Sequence, residues 1–118
     1  MKMTITWEEI LKDDNMAGRI VEIHEVNYVY RGLIGNIKIE NEKLFIDCKK
    51  TRVALTTDED KKKRWKHSVT TRFFVSNQSQ PSLLNDGRIS FIISNLSFGI
   101  IYPQGFEFHS ENTRHSKA

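Results

Sequence analysis

The chain has 118 residues, with 18 Lys and Arg against 15 Asp and Glu, a formal net charge of +3. That length fits one domain able to bury roughly two thirds of the surface its unfolded chain exposes, so a packed core without staples is expected. A chain 38% hydrophobic, with 28% charged residues of nearly balanced sign, is not the composition of a disordered segment. The single Cys48 excludes an intramolecular disulfide framework and a multi-cysteine metal site. No apolar run approaches the roughly 20 residues of a spanning helix. The opening MKMTITWEEIL lacks the apolar stretch and small-residue cleavage site of a signal peptide. A cytoplasmic location without membrane contact is the expectation.

In chain order, the first element is a helix. Thr6 and Glu9 have the spacing of a capping box, and Ile5 and Ile10 that of a hydrophobic staple. Trp7, Ile10 and Leu11 share a face, and Asp13, Asp14 and Asn15 read as its end, so the helix is expected over about 6–14. After it the apolar period changes to two. Residues 19–26 place Val21 and Ile23 on one side, Glu22 and His24 on the other. Residues 28–40 alternate likewise, interrupted by Gly32 and Gly35, which mark bulges or bends. Asn41 and Glu42 turn the chain into a strand over 43–49, completing a hairpin. Further strands are expected over 51–57, 65–77, 88–95, 98–102 and 106–109. The longest polar connections are 58–64 and 77–87, and 110–118 forms a polar tail expected to be disordered.

Residue choice supports the same class. The chain holds 13 Ile and 6 Val but 7 Leu and only 3 Ala, so β-branched residues that suit a pleated sheet outnumber helix formers. Short strands bent by glycines point to a mostly β domain over 1–109. The expected form is a small closed or partly open antiparallel β-barrel, SH3-like or similar, preceded by the short helix. An OB arrangement would place its helix between the third and fourth strands.

The most conspicuous chemical feature is the run Lys61, Lys62, Lys63, Arg64, Trp65, Lys66. Residues 1–59 carry 9 basic and 11 acidic side chains, and residues 60–118 carry 9 and 4; five of those nine cations lie in this run. Without them the charge falls from +3 to −2. Lys49, Lys50 and Arg52 lie just upstream. A hairpin tipped near Glu59 puts Arg52 opposite Trp65 or Lys66 and joins both clusters on one ribbon. The cations would contact phosphates and Trp65 would stack on an unpaired base, a sequence-nonspecific nucleic-acid interface. The acidic tip Asp58-Glu59-Asp60 opposes that reading, and a solvated hairpin tip is the simpler alternative.

Two other function classes compete with it. An exposed aromatic surface drawn from Tyr28, Tyr30, Phe74 and Phe98 would serve a protein partner or self-assembly. One of the adjacent Phe73 and Phe74 must leave the core face. A small enzyme would need Glu22, His24 and Asp47 to converge, with the imidazole oriented by a carboxylate. No nucleotide-loop or nucleophile-elbow motif is present, so no catalytic residue is assigned. His24, His67, His109 and His115 show no paired ligand spacing, so neither metal nor cofactor is expected. Cys48 alternates with Leu44 and Ile46 and reads as a small core residue. The expectation is a binding module rather than an enzyme.

Overall fold

The computed structural model of the chain describes residues 3–58 and 63–108. The expected tail over 110–118, the hairpin tip at Glu59, and Lys61 and Lys62 lie outside the described residues.

A two-residue strand β1 (Met3–Thr4) leads into the helix α1 (Trp7–Lys12). The capping box forms: Glu9 N donates to Thr6 Oγ1 at 3.1 Å, and Thr6 N donates to Glu9 Oε1 at 3.0 Å. The helix stops at Lys12, because Asp13 and Asp14 oppose the dipole at its C-terminal end. Trp7 and Ile10 are buried. Trp7 packs its ring edgewise on Phe91 at 5.4 Å and donates its indole N–H to the carbonyl of Ser79 at 2.9 Å.

The remaining strands are β2 (Ile20–His24), β3 (Tyr28–Glu40), β4 (Lys43–Leu55), β5 (Lys66–His67), β6 (Arg72–Val75), β7 (Ser82–Leu83), β8 (Ile89–Ser94) and β9 (Ser97–Ile101). The β3–β4 hairpin sets the long axis of a molecule measuring 46 × 27 × 24 Å. Asn41 and Glu42 turn it with φ of 51° and 67°, the left-handed pair of a type I′ turn that matches strand twist. The ladder shifts at both glycines: Gly32 faces a bulge of Lys50 and Thr51 on β4, and Gly35 is the extra residue on β3.

Four boundaries differ from expectation. The strands expected over 43–49 and 51–57 are one continuous strand, β4, which passes through the bulge at Lys50 instead of ending there. The single strand expected over 65–77 is two, β5 and β6, both paired to the outer edge of β4. The polar connection 77–87 contains β7, which pairs with β1 and β8. Residues 106–108 form no strand; they cross the sheet's outer face.

All pairings are antiparallel, in the order β1-β7-β8-β9-β2-β3-β4-β5 with β6 also on β4. The domain is mostly β, as expected, but a closed barrel is not formed. The hydrogen-bonded ladder is open, and β6 lies against β8 without pairing to it. Side chains close the gap instead. Phe73 and Val75 join Ile89, Phe91, Leu44, Ile46 and Ile101 in one core, which α1 caps with Trp7 and Ile10. Cys48 lies in that core, as its alternation implied. No helix among the described residues is long and apolar enough to cross a membrane.

Candidate functional site

The outer face of the sheet carries a cross-strand row of polar residues. Pairing places Glu22 opposite Arg31, Arg31 opposite Arg52, and Arg52 opposite His67, so these side chains emerge from one side of β2, β3, β4 and β5. Alternation alone makes Glu22 a solvent-facing residue. It is instead 6% exposed, hydrogen-bonded among Arg31, His24 and Tyr102.

Glu22 is the hub of a satisfied network. Its Oε2 accepts from Arg31 Nη2 at 2.7 Å and Nε at 3.0 Å. Its Oε1 lies 3.0 Å from His24 Nε2 and accepts from the Tyr102 hydroxyl at 3.0 Å. Burial alone would raise the carboxyl's pKa, but the hydrogen bonds from His24 and Arg31 outweigh it and hold Glu22 below the ordinary glutamate value. Burial beside this carboxylate pushes the Tyr102 phenol up to about 12, so it stays a donor. Arg31 is clasped between two rings, its guanidinium carbon 4.3 Å from the Trp65 centroid and 3.6 Å from that of Phe108. The His24 ring stacks on Phe98 at 4.7 Å with 1° between planes.

Above this network lies an open groove of about 680 Å3. Its floor is Ile20, Arg31, Gly32 and Leu33; one wall is Lys50, Arg52, Trp65 and His67; the other is Phe106, Glu107 and Phe108. Lys50 reaches the wall through the β4 bulge, where its φ of 54° is left-handed, a conformation costing a non-glycine residue about 1 kcal/mol or more. Thr51 beside it has a buried hydroxyl with no hydrogen-bond partner among the described residues. This short stretch therefore carries local strain where it meets the groove. Among the described residues, Lys50 and Arg52 have no carboxylate partner.

Of the nine residues proposed from the sequence, Lys50, Arg52 and Trp65 come together in this groove. Lys61 and Lys62 lie outside the described residues, and Lys49, Lys63, Arg64 and Lys66 do not line the groove. The β4–β5 register pairs Arg52 with His67, not with Trp65 or Lys66 as expected. That slip turns Lys66 to the face of Val53 and makes His67 the neighbour of Arg52. The Lys49 side chain runs beside Gly35. Lys63 Nζ folds back onto the carbonyls of Asp58, at 2.7 Å, and Leu55, at 3.4 Å. Arg64 is exposed and does not line the groove.

The residues of the competing classes do not assemble as proposed. Glu22 and His24 meet, but Asp47 is bound bidentately by Arg72 at 2.7 and 3.2 Å, in an exposed network with Glu40 and Lys38. Hydrogen bonding from Arg72 holds Asp47 below its usual range against a smaller opposing effect of burial. Cys48 is pushed up to about 12 by burial and then by Asp47, which keeps it a thiol. Among the described residues no three His, Cys, Asp or Glu side chains gather as metal ligands. Phe73 is buried and Phe74 is 50% exposed beside Phe45. Tyr30 lies edge-on to Phe73 on the inner face, whereas Phe98 emerges on the outer face with His24, so the four aromatics share no single surface.

Sequence reasoning missed Arg31, His67, Phe106 and Phe108 as members of one groove. The alternation of Phe106, Glu107 and Phe108 was readable, but as a strand face. That the segment lies across Arg31 depends on the turn at Pro103–Phe106, where Gly105 has φ of 82° and Phe106 N donates to Pro103 O at 3.1 Å. No family model matches the chain, and comparison with curated proteins and with solved structures returns no significant match.

Proposed function

We propose that the chain is a binding module that takes single-stranded nucleic acid in the outer-face groove, without reading an extended sequence. The observation that carries this reading is the placement of Lys50 and Arg52, which have no carboxylate partner among the described residues, with aromatic rings around one open floor. Phosphates lie along the cationic wall and unpaired bases meet the rings, the combination used by sequence-tolerant single-strand binders. Arg31 takes no phosphate, because Glu22 already neutralises it. On this reading the domain is a partly open barrel whose outer face, rather than its interior, holds the ligand. The test is fluorescence anisotropy of a short single-stranded oligonucleotide. The wild type is expected to bind it, and Lys50→Ala/Arg52→Ala to bind at least tenfold more weakly with an unchanged urea midpoint, since both side chains are exposed.

A separate observation favours a second reading, a contact with protein or with a second copy. The β2–β3 turn, the end of β4 at Leu55 and the β8–β9 turn all lie at one end of the molecule. Six of the ten large apolar side chains exposed among the described residues are there: Val26, Tyr28, Leu55, Ile92, Leu96 and Phe98. No charged residue occurs between Ile89 and Phe106, and apolar surface gathered this way commonly marks an interaction site. Self-association would appear as a mass that rises with concentration and reverts to monomer in Leu96→Lys; a monomer at every concentration opposes it.

A further inference from the structure

Trp65 is the ring that composition singles out for stacking, yet its surroundings leave it little to offer. The Arg31 guanidinium lies over its ring at 4.3 Å and over that of Phe108 at 3.6 Å, and Glu22 neutralises it. Trp65 and Phe108 thus already share the Arg31 guanidinium as a stacking partner. Phe106 is different. It rests on Tyr102, with centroids 4.6 Å apart and planes 29° apart, and touches Phe108 edge-on at 5.0 Å. It still remains 37% exposed at the groove.

The two walls also differ in charge. Lys50 and Arg52 stand on one, and Glu107 on the other, where among the described residues it has no cationic partner. A ligand seated between them is therefore oriented. Its anionic end is drawn to Lys50 and Arg52 and repelled by Glu107, while its flat apolar part falls against Phe106. A carboxylate accepts hydrogen bonds only, so Glu107 favours a ring that carries amino donors. A volume of about 680 Å3 lies within the range of pockets for small ligands and suits one nucleotide unit.

We propose that the groove is a single-nucleotide site in which Phe106, not Trp65, is the platform for the base. Lys50 and Arg52 hold the phosphate, and Glu107 selects bases bearing an exocyclic amine. This assignment rests on the nucleic-acid reading and adds its polarity and its preference. Adenine and cytosine offer Glu107 an exocyclic amine; uracil places a carbonyl there and keeps only its ring N3–H as donor, so it pairs less well.

The experiment is competition against a labelled single-stranded oligonucleotide bound to the full chain, using adenosine 5′-monophosphate, uridine 5′-monophosphate and inorganic phosphate. The adenosine nucleotide is expected to displace the probe at about tenfold lower concentration than the uridine nucleotide, with inorganic phosphate weaker than both. Glu107→Gln is expected to narrow the gap between the two nucleotides. Phe106→Leu, which keeps apolar volume but removes the π face, is expected to weaken probe binding about tenfold without moving the urea midpoint. A probe bound equally by wild type and Phe106→Leu, or nucleotides and phosphate competing alike, overturns this assignment and leaves the nucleic-acid reading standing. A probe that wild type does not bind overturns both.

Discussion

Glu22→Gln is expected to cost about 3–5 kcal/mol of folding stability, the scale for removing one partner of a buried ion pair. The Glu22 and Arg31 side chains are only 8% and 17% exposed, so the guanidinium left behind is poorly hydrated. Rings above and below cannot replace the carboxylate that receives two of its N–H groups. The Tyr102 hydroxyl keeps an acceptor in the glutamine oxygen, which limits the damage to the charge itself. Urea unfolding of Glu22→Gln, Arg31→Met and the double variant forms the decisive cycle. Because the two side chains share direct hydrogen bonds that either single change removes, the double variant is expected to be more stable than the sum of the single losses allows. Equal and additive losses would show that the pair is not coupled.

The same residue gives a dependence on pH with a defined sign. Its folded pKa lies below the ordinary value of 4.5, so its contribution is present above that value and disappears as pH falls through the folded pKa. Stability of the wild type should therefore decline below about pH 4.5, and that decline should be shallower in Glu22→Gln. Asp47, Glu40 and Asp86 are also depressed and also lose stability on acidification, so the comparison between the two proteins isolates Glu22.

Gly99→Ala is expected to be the most damaging small substitution in the sheet. Gly99 pairs with Phe91 across β8 and β9, and a Cβ at Gly99 would occupy the space filled by the Phe91 ring. Phe91 is 3% exposed and held at its other side by Trp7, so it cannot swing into solvent. Overpacking of this kind costs about 1–3 kcal/mol, and more when the obstructing ring is itself fixed. The added variant Phe91→Leu should recover part of the loss, because the smaller side chain vacates the place of the methyl group. A midpoint unchanged in Gly99→Ala would mean that Phe91 repacks freely and that the core at β8–β9 is looser than described.

The local grammar of this fold was legible wherever neighbours in sequence determine geometry. Thr6 and Glu9 bond within one helical turn, and Asn41-Glu42 closes a hairpin whose strands flank it directly. Gly32 and Gly35 interrupt a period of two at the places where the ladder shifts. What escaped was set by distant contacts. β7 consists of two residues within a polar stretch, and only pairing to β1 and β8 makes it a strand. A closed or partly open barrel was expected from short strands bent by glycines, but closure depends on whether edges meet, and here β6 and β8 meet without pairing.

The candidate site followed the same division. Placing Lys50, Arg52 and Trp65 near one another needed only a hairpin between β4 and β5. The facing residue depended on register to within one position, and one position decides the face: His67 joined Arg52 while Lys66 turned away. Glu22 looked like a solvent-facing residue because nothing within its strand reveals the hydrogen bond brought by Tyr102 from 80 residues downstream.

The central claim is that Lys50 and Arg52 contact phosphates of a single strand, and the salt dependence of binding tests it most directly. Each phosphate contact contributes about 0.7 to the slope of log affinity against log salt for a single strand. Wild type is therefore predicted to show a slope steeper by about 1.4 than Lys50→Ala/Arg52→Ala, measured by anisotropy on one oligonucleotide across several salt concentrations. Identical slopes for the two proteins, or micromolar wild type leaving the probe free at low salt, would contradict the account.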